Sequence, residues 1–149
     1  MILVTPAILL AMAVFSFSGV RPGNLGVHSG RLSSCPSSPN CVSTDADDQD
    51  HHISALELTL PPADGWRAAR AAVARLPRTT IVTESADYLH AECGSAFFGF
   101  VDDLELHLRL DQNVIAVRSA ARLGRSDFGV NRKRVESLRA QLKAQGVAR

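Results

Sequence analysis

The clearest alternation of apolar and polar positions lies between residues 98 and 122 and predicts two paired antiparallel strands. Phe98, Phe100, Leu104, Leu106, Leu108 and Leu110 share one parity, while Val101, Asp103, Glu105, His107 and Arg109 share the other. With Gln112 and Asn113 as a two-residue hairpin loop, Leu110 faces Ile115, Leu108 faces Val117 and Leu106 faces Ser119 on the inner side. The outer side then sets Arg109 opposite Ala116, His107 opposite Arg118, Glu105 opposite Ala120 and Asp103 opposite Arg122, with Glu105 diagonal to Arg118. This register serves both faces, and a slip of one residue would invert them. The outer charges are expected to form ion pairs on a wet sheet face. One polar residue interrupts the apolar row. Asp102 has inward parity, where a carboxylate is costly unless it is paired, hydrogen-bonded or at the rim of the sheet. Its removal is therefore expected to destabilise the domain more than removal of Asp103.

The remaining elements follow from the same two periods. The folded domain is expected to begin at Ile53; Leu56, Leu58 and Leu60 alternate with Glu57 and Thr59, predicting a strand that Pro61 and Pro62 end. Trp66, Ala69, Val73 and Leu76 fall on one face of a helix over residues 64–76, with Asp64 as N-cap and Pro77 closing it. Residues 79–84 are β-branched and short. Residues 88–93 set Leu89, Ala91 and Cys93 inward and Tyr88, His90 and Glu92 outward, which assigns His90 to the surface. A Gly-containing turn after Arg122 leads into a helix whose buried face is Val135, Leu138 and Leu142, with Asp127 or Asn131 capping its start. The order strand, helix, four strands, helix predicts an α+β domain over residues 53–146. Its antiparallel sheet has about five strands with two helices packed on one face (β-α-β4-α), resembling a TATA-binding-protein-like topology or a shortened helix-grip fold.

The N-terminal end breaks the pattern. Residues 1–20 carry no charged side chain, and about 20 apolar residues in a helix just cross a bilayer's hydrocarbon core. Either a membrane anchor or a signal peptide is expected there, the latter with an apolar centre and small residues Ser16 and Ser18 before Gly19. Arg21 and Arg31 after the run would hold the domain in the cytoplasm by the positive-inside rule, whereas the cysteines favour export, to the periplasm or elsewhere in the cell envelope. Residues 21–52, rich in Pro, Gly, Ser and Asp and without apolar period, read as a linker. Within it, Cys35 and Cys41 bracket two prolines, a stiff spacing suited to a disulfide; free thiols, or a metal shared with His51 or His52, are the alternatives. The acidic run at residues 45–50 lacks the Gly and terminal Glu of a calcium loop and reads as solvated.

Composition narrows the function classes. Sixteen basic residues against 15 acidic ones create no global field toward nucleic acid, and few aromatics leave no stacking platform for bases. No cofactor motif and no metal site emerge. Local chemistry gathers at one polar corner: Asp102, Asp103, Arg118, Ser119 and Arg122 on the strands, then Ser126, Asp127, Asn131 and Arg132 in the turn and first helical turn. A Gly-rich turn at a helix N-terminus flanked by arginines is a candidate anion site, because free N–H groups and guanidinium forks converge there.

CPSSPNCVST with His52, FGFVDDLELHL and VRSAARLGRSDFGVNRKRVESLR resemble the DUF1499 family, an uncharacterised group of bacterial and plastid proteins that often carry an N-terminal membrane or export segment. The resemblance covers residues 21–142 and supplies no activity, substrate or catalytic residue. It implies that the polar-corner residues lie on motif positions, and that Cys35 pairs with Cys41, because Cys93 falls outside the motif cysteines. Two functions are expected. The first is a non-enzymatic envelope domain binding a partner, lipid or anionic small molecule. The second is a hydrolase or transferase with Asp102 or Asp103 as general base and Arg118 or Arg122 holding an anionic group.

Overall fold

Six strands and two helices are arranged along the described residues, 18–96 and 98–149, of this computed structural model. They are β1 (Cys41–Ser43), β2 (Leu56–Glu57), α1 (Pro62–Ala74), β3 (Thr79–Glu84), β4 (Tyr88–Gly94), β5 (Val101–Arg109), β6 (Val114–Ala121) and α2 (Val130–Ala144). The expected export or membrane segment falls almost wholly on residues 1–17, outside the described residues. No helix among the described residues is long and apolar enough to cross a membrane.

The chain folds as an open antiparallel sheet in the order β1-β6-β5-β4-β3, with β2 lying beside β6 beyond β1. The α+β class expected from the sequence is therefore met, with one strand more. Period two puts Leu89 and Ala91 of β4, Leu104, Leu106 and Leu108 of β5, and Ile115 and Val117 of β6 on one face. Period 3.6 puts Val73 of α1 and Val135, Leu138 and Leu142 of α2 against them, all fully buried. Helix α1 approaches the loop after β2 closely. A Cβ on Gly65 would meet Leu58 Cδ1 at 2.7 Å, so the smallest side chain is what lets the helix pack there.

Several expectations are corrected. The β5–β6 register pairs Glu105 directly with Arg118, Leu106 with Val117 and Leu108 with Ile115, two residues from the predicted alignment. A four-residue loop, 110–113, causes the shift: Asn113 adopts a left-handed φ of 52°, and its side-chain amide donates to the carbonyl of Leu58 at 3.2 Å. A two-residue shift keeps every side chain on its face, so alternation alone did not exclude it. Phe98 and Phe100, expected inward by parity, precede β5 in a loop and are 66% and 40% exposed. Helix α1 begins two residues earlier than expected, with Pro62 at its first position and Pro61 as N-cap; Asp64 sits in the first turn.

Residues 21–52 do not form an open linker. Strand β1 pairs with β6, putting Val42 in the core opposite Ser119, and the preceding chain crosses the sheet face opposite the helices. The crossing is held by the Gly26 N–H donating to Glu105 Oε1 at 2.7 Å and by Arg118 reaching the Ser34 carbonyl at 3.5 Å. Beneath it Asp103 is 1% exposed, Glu105 0% and Arg118 4%. The wet face expected for these charges is thus an interior layer. His90, expected on the surface, is likewise buried.

Candidate functional site

Alternation along β5 sends the neighbouring carboxylates of Asp102 and Asp103 to opposite faces, and the single polar corner divides into two clusters. On the helix side, Arg134 of α2 donates from Nη2 to Asp102 Oδ2 at 2.8 Å and from Nη1 to Asn131 Oδ1 at 2.7 Å and Ser119 Oγ at 3.0 Å. The Ser119 hydroxyl donates to Asn131 Oδ1 at 2.6 Å. Asp127 accepts from the Gly129 N–H and the Asn131 N–H, both at 2.9 Å, and from Asn131 Nδ2 at 2.8 Å. Burial pushes the Asp127 carboxyl up, but these donors outweigh it and hold the group below the ordinary carboxylate range. The cluster locks α2 onto the sheet.

That lock uses several of the donors on which an anion site at residues 124–132 would depend. The Gly129 N–H at the N-cap of α2 and the Asn131 N–H in its first turn are bonded to Asp127 itself. Arg132 donates to the carbonyls of His52 at 3.1 Å and Asp50 at 2.9 Å, and Ser126 Oγ accepts from the Phe128 N–H at 3.3 Å. Asp127 thus bonds two of the N–H groups that the helix-terminus reading relies on, while Arg125 of the same turn is exposed.

On the covered side, Arg122 grips Asp103 with a two-pronged fork, Nε to Oδ2 at 2.8 Å and Nη2 to Oδ1 at 2.7 Å, and also reaches Glu92 Oε1 at 2.6 Å. His90 Nε2 lies 2.7 Å from Asp103 Oδ1, and Arg21 of the covering segment adds a second cation on Glu92 at 2.6 Å. Burial raises the Asp103 carboxyl, yet the bonds from Arg122 and His90 hold it below its ordinary value; the Arg122 bond likewise lowers Glu92. His90, Glu92 and Asp103 offer ligand atoms within 4.8 Å of one another, the spacing of a metal trio. The Arg122 guanidinium already bonds both carboxylates of the trio, which supplies their positive charge from a side chain and does not fit a metal ion.

Two residues further along β5 on the same face, Glu105 Oε1 accepts from the Tyr88 hydroxyl at 2.8 Å and the Gly26 N–H at 2.7 Å, and Oε2 from Arg118 Nη1 at 3.2 Å. Burial, then the Glu105 charge, push the Tyr88 phenol far up, so it stays a donor. Arg118 is less well served. Among the described residues, its Nη2 has only the 3.5 Å contact to Ser34, and its buried Nε has no partner. A cleft of about 400 Å³ opens over it, lined by Pro22, Asn24, Cys35 and Pro36 of the covering segment and by Asp103, Arg118 and Arg122 of the sheet side.

The covering segment is tied down at several points. Cys35 and Cys41 form a disulfide with Cα atoms 5.7 Å apart, which removes both thiols from metal binding. Asp45, expected in a solvated acidic loop, is buried and accepts from the Leu32 N–H at 2.8 Å and Arg109 Nη2 at 2.6 Å. His51 bridges Asp48 Oδ1 at 2.7 Å and the Ser38 carbonyl at 3.0 Å, and these two, Ser38 first, raise its pKa. Cys93 is buried and its thiol is pushed up by that burial, as befits an inert core residue.

Of the residues expected at one corner, Asp103, Arg118 and Arg122 meet at the cleft, and Asp102, Ser119, Asp127 and Asn131 meet beneath α2. Arg134, Glu105 and Tyr88 complete these clusters and were not singled out from the sequence as site residues. For Arg134 the available signal is its i,i+3 spacing from Asn131 on α2; for Tyr88 it is the outward parity it shares with His90. Residues 31–142 match a family model described as a protein of unknown function, DUF1499. No curated protein and no solved structure matches the chain.

Proposed function

From the premise that the chain belongs to the DUF1499 family, we propose that it is a non-enzymatic binding domain of the cell envelope whose covered cleft takes a small oxyanion. The observation that carries this reading is Arg118. It is 4% exposed, lines a cleft of about 400 Å³ and leaves Nε unbonded. A buried guanidinium donor without a partner is costly, and a carboxylate or phosphate oxygen in the cleft would accept from Nε and Nη2 together. Glu105 meanwhile holds the opposite edge of the same guanidinium.

The hydrolase or transferase alternative draws little support. A general base needs a carboxylate poised near working pH, whereas Asp103 is held low by Arg122 and His90, and Asp102 is bonded to Arg134. Export to the envelope is supported by the uncharged residues 1–17 and by a disulfide, which persists in oxidising compartments.

Titration with inorganic phosphate and with acetate, followed by NMR, tests the ligand class. Both anions are expected to shift the Arg118 Nε–H resonance and the amides of residues 34–35. Arg118→Lys, which keeps the charge facing Glu105 but removes Nε, is expected to weaken binding by about tenfold, the equivalent of one lost bond between charged groups. A flat wild-type titration, or equal affinity in the folded variant, would reject the site.

A further inference from the structure

Apolar side chains are left outside at the end of the sheet where β5 begins and β6 ends. Val20 and Phe128 are each 89% exposed, Phe98 66% and Leu123 43%. Three chain segments bring them together. Phe98 lies in the β4–β5 connection, next to Phe100 with ring centroids 5.9 Å apart. The Arg122 N–H donates to the Val101 carbonyl at 3.3 Å, which sets the β6–α2 turn, with Leu123 and Phe128, beside that connection. The chain arriving from the N-terminal side lies against the same turn, where a Cβ on Gly19 would meet Arg122 Cβ at 3.0 Å and Leu123 Cγ at 3.1 Å.

Folding does not account for this end. Phe128 holds a left-handed φ of 54°, a conformation unfavourable for an aromatic residue, and the turn keeps its ring in solvent. Exposed apolar side chains gathered at one end of a domain mark an interaction site. Two features select the partner. Residues 1–17, without a charged side chain, join the domain at this end, and Arg78 and Arg125 are exposed near the same two loops. An aromatic and aliphatic tip flanked by two guanidinium groups and continuous with an uncharged segment suits a lipid surface with anionic headgroups.

We propose that this end of the domain rests on a lipid bilayer, with Phe98, Leu123 and Phe128 in the interfacial layer and Arg78 and Arg125 toward the headgroup phosphates. The proposal is independent of the cleft and commits the fold to one orientation, with the loop at residues 110–113 facing away from the membrane. Leu110 is itself 67% exposed but lies at the far end of β5, about 30 Å away for nine extended residues.

The full chain reconstituted in vesicles of phosphatidylcholine and phosphatidylglycerol tests this with a polarity-sensitive fluorophore on Phe128→Cys and, separately, on Leu110→Cys. The native disulfide and the buried Cys93 leave the introduced thiol as the reactive one. Both positions are exposed, and an unchanged melting temperature confirms the fold of each labelled variant. Lipids carrying a nitroxide on the acyl chain should quench the Phe128 probe several-fold more than the Leu110 probe. Equal quenching of the two would overturn the proposal. So would shielding of the Phe128 probe without lipid quenching, the signature of a second copy on this face.

Discussion

Asp102 and Asp103 are consecutive carboxylates with different surroundings, and the difference reverses the order of importance that parity suggests. Asp102 points toward the helices but sits near the rim of the sheet with one partner, Arg134, both side chains 13% exposed. Asp103 points the other way, is 1% exposed, and holds Arg122 and His90 at once. Removing Asp103 leaves the buried Arg122 guanidinium with Glu92 alone and takes the carboxylate from His90, and breaking a buried pair typically costs about 3–5 kcal/mol, whereas removing Asp102 costs about 1–3 kcal/mol. Asp103→Ala is therefore expected to lower the melting temperature more than Asp102→Ala; the opposite order would contradict the burial of the Asp103 cluster. Side-chain direction was legible in the sequence because the period of a strand is two. What lies over a face was not, since parity says which way a residue points and nothing about what covers it.

The core elements were the most legible. β3 has the bounds its β-branched residues predict, and the buried stripe of α2 is the expected Val135, Leu138 and Leu142. The register of β5 on β6 was less so, because a two-residue shift preserves both faces and only the loop decides it; Asn113, tied to Leu58, makes that loop four residues long. β1 was invisible. It has three residues, too few to show a period, and its pairing with β6 depends on a covering segment held by a disulfide and by a few bonds to Glu105, Glu92 and Asp45. Its irregularity hides its role. Closing the six-residue separation between Cys35 and Cys41 removes loop entropy of about 2 kcal/mol from the unfolded chain. Urea denaturation with and without reductant should show a stability loss of that size, and coincident midpoints would mean that the bridge does not restrain the segment.

At the scale of the whole molecule, the inner strands β5 and β6 are dry on both faces for different reasons, while β3 at the sheet's edge stays exposed. The helices seal one face with Leu and Val packing, and the chain before β2 seals the other over paired charges. This second interior is polar, which explains how an apparently solvent-facing charge pattern coexists with full burial. It also provides a guanidinium-floored cleft at one margin and leaves an apolar tip at the end from which residues 1–17 depart. Each part depends on the covered face being an interior. A double-mutant cycle on Asp103 and Arg122, using Asp103→Asn and Arg122→Gln and equilibrium unfolding, tests that most directly. A desolvated, fork-bonded pair predicts a coupling energy above about 1.5 kcal/mol, whereas a value of about 0.2–1 kcal/mol, that of a pair on a wet surface, would contradict it.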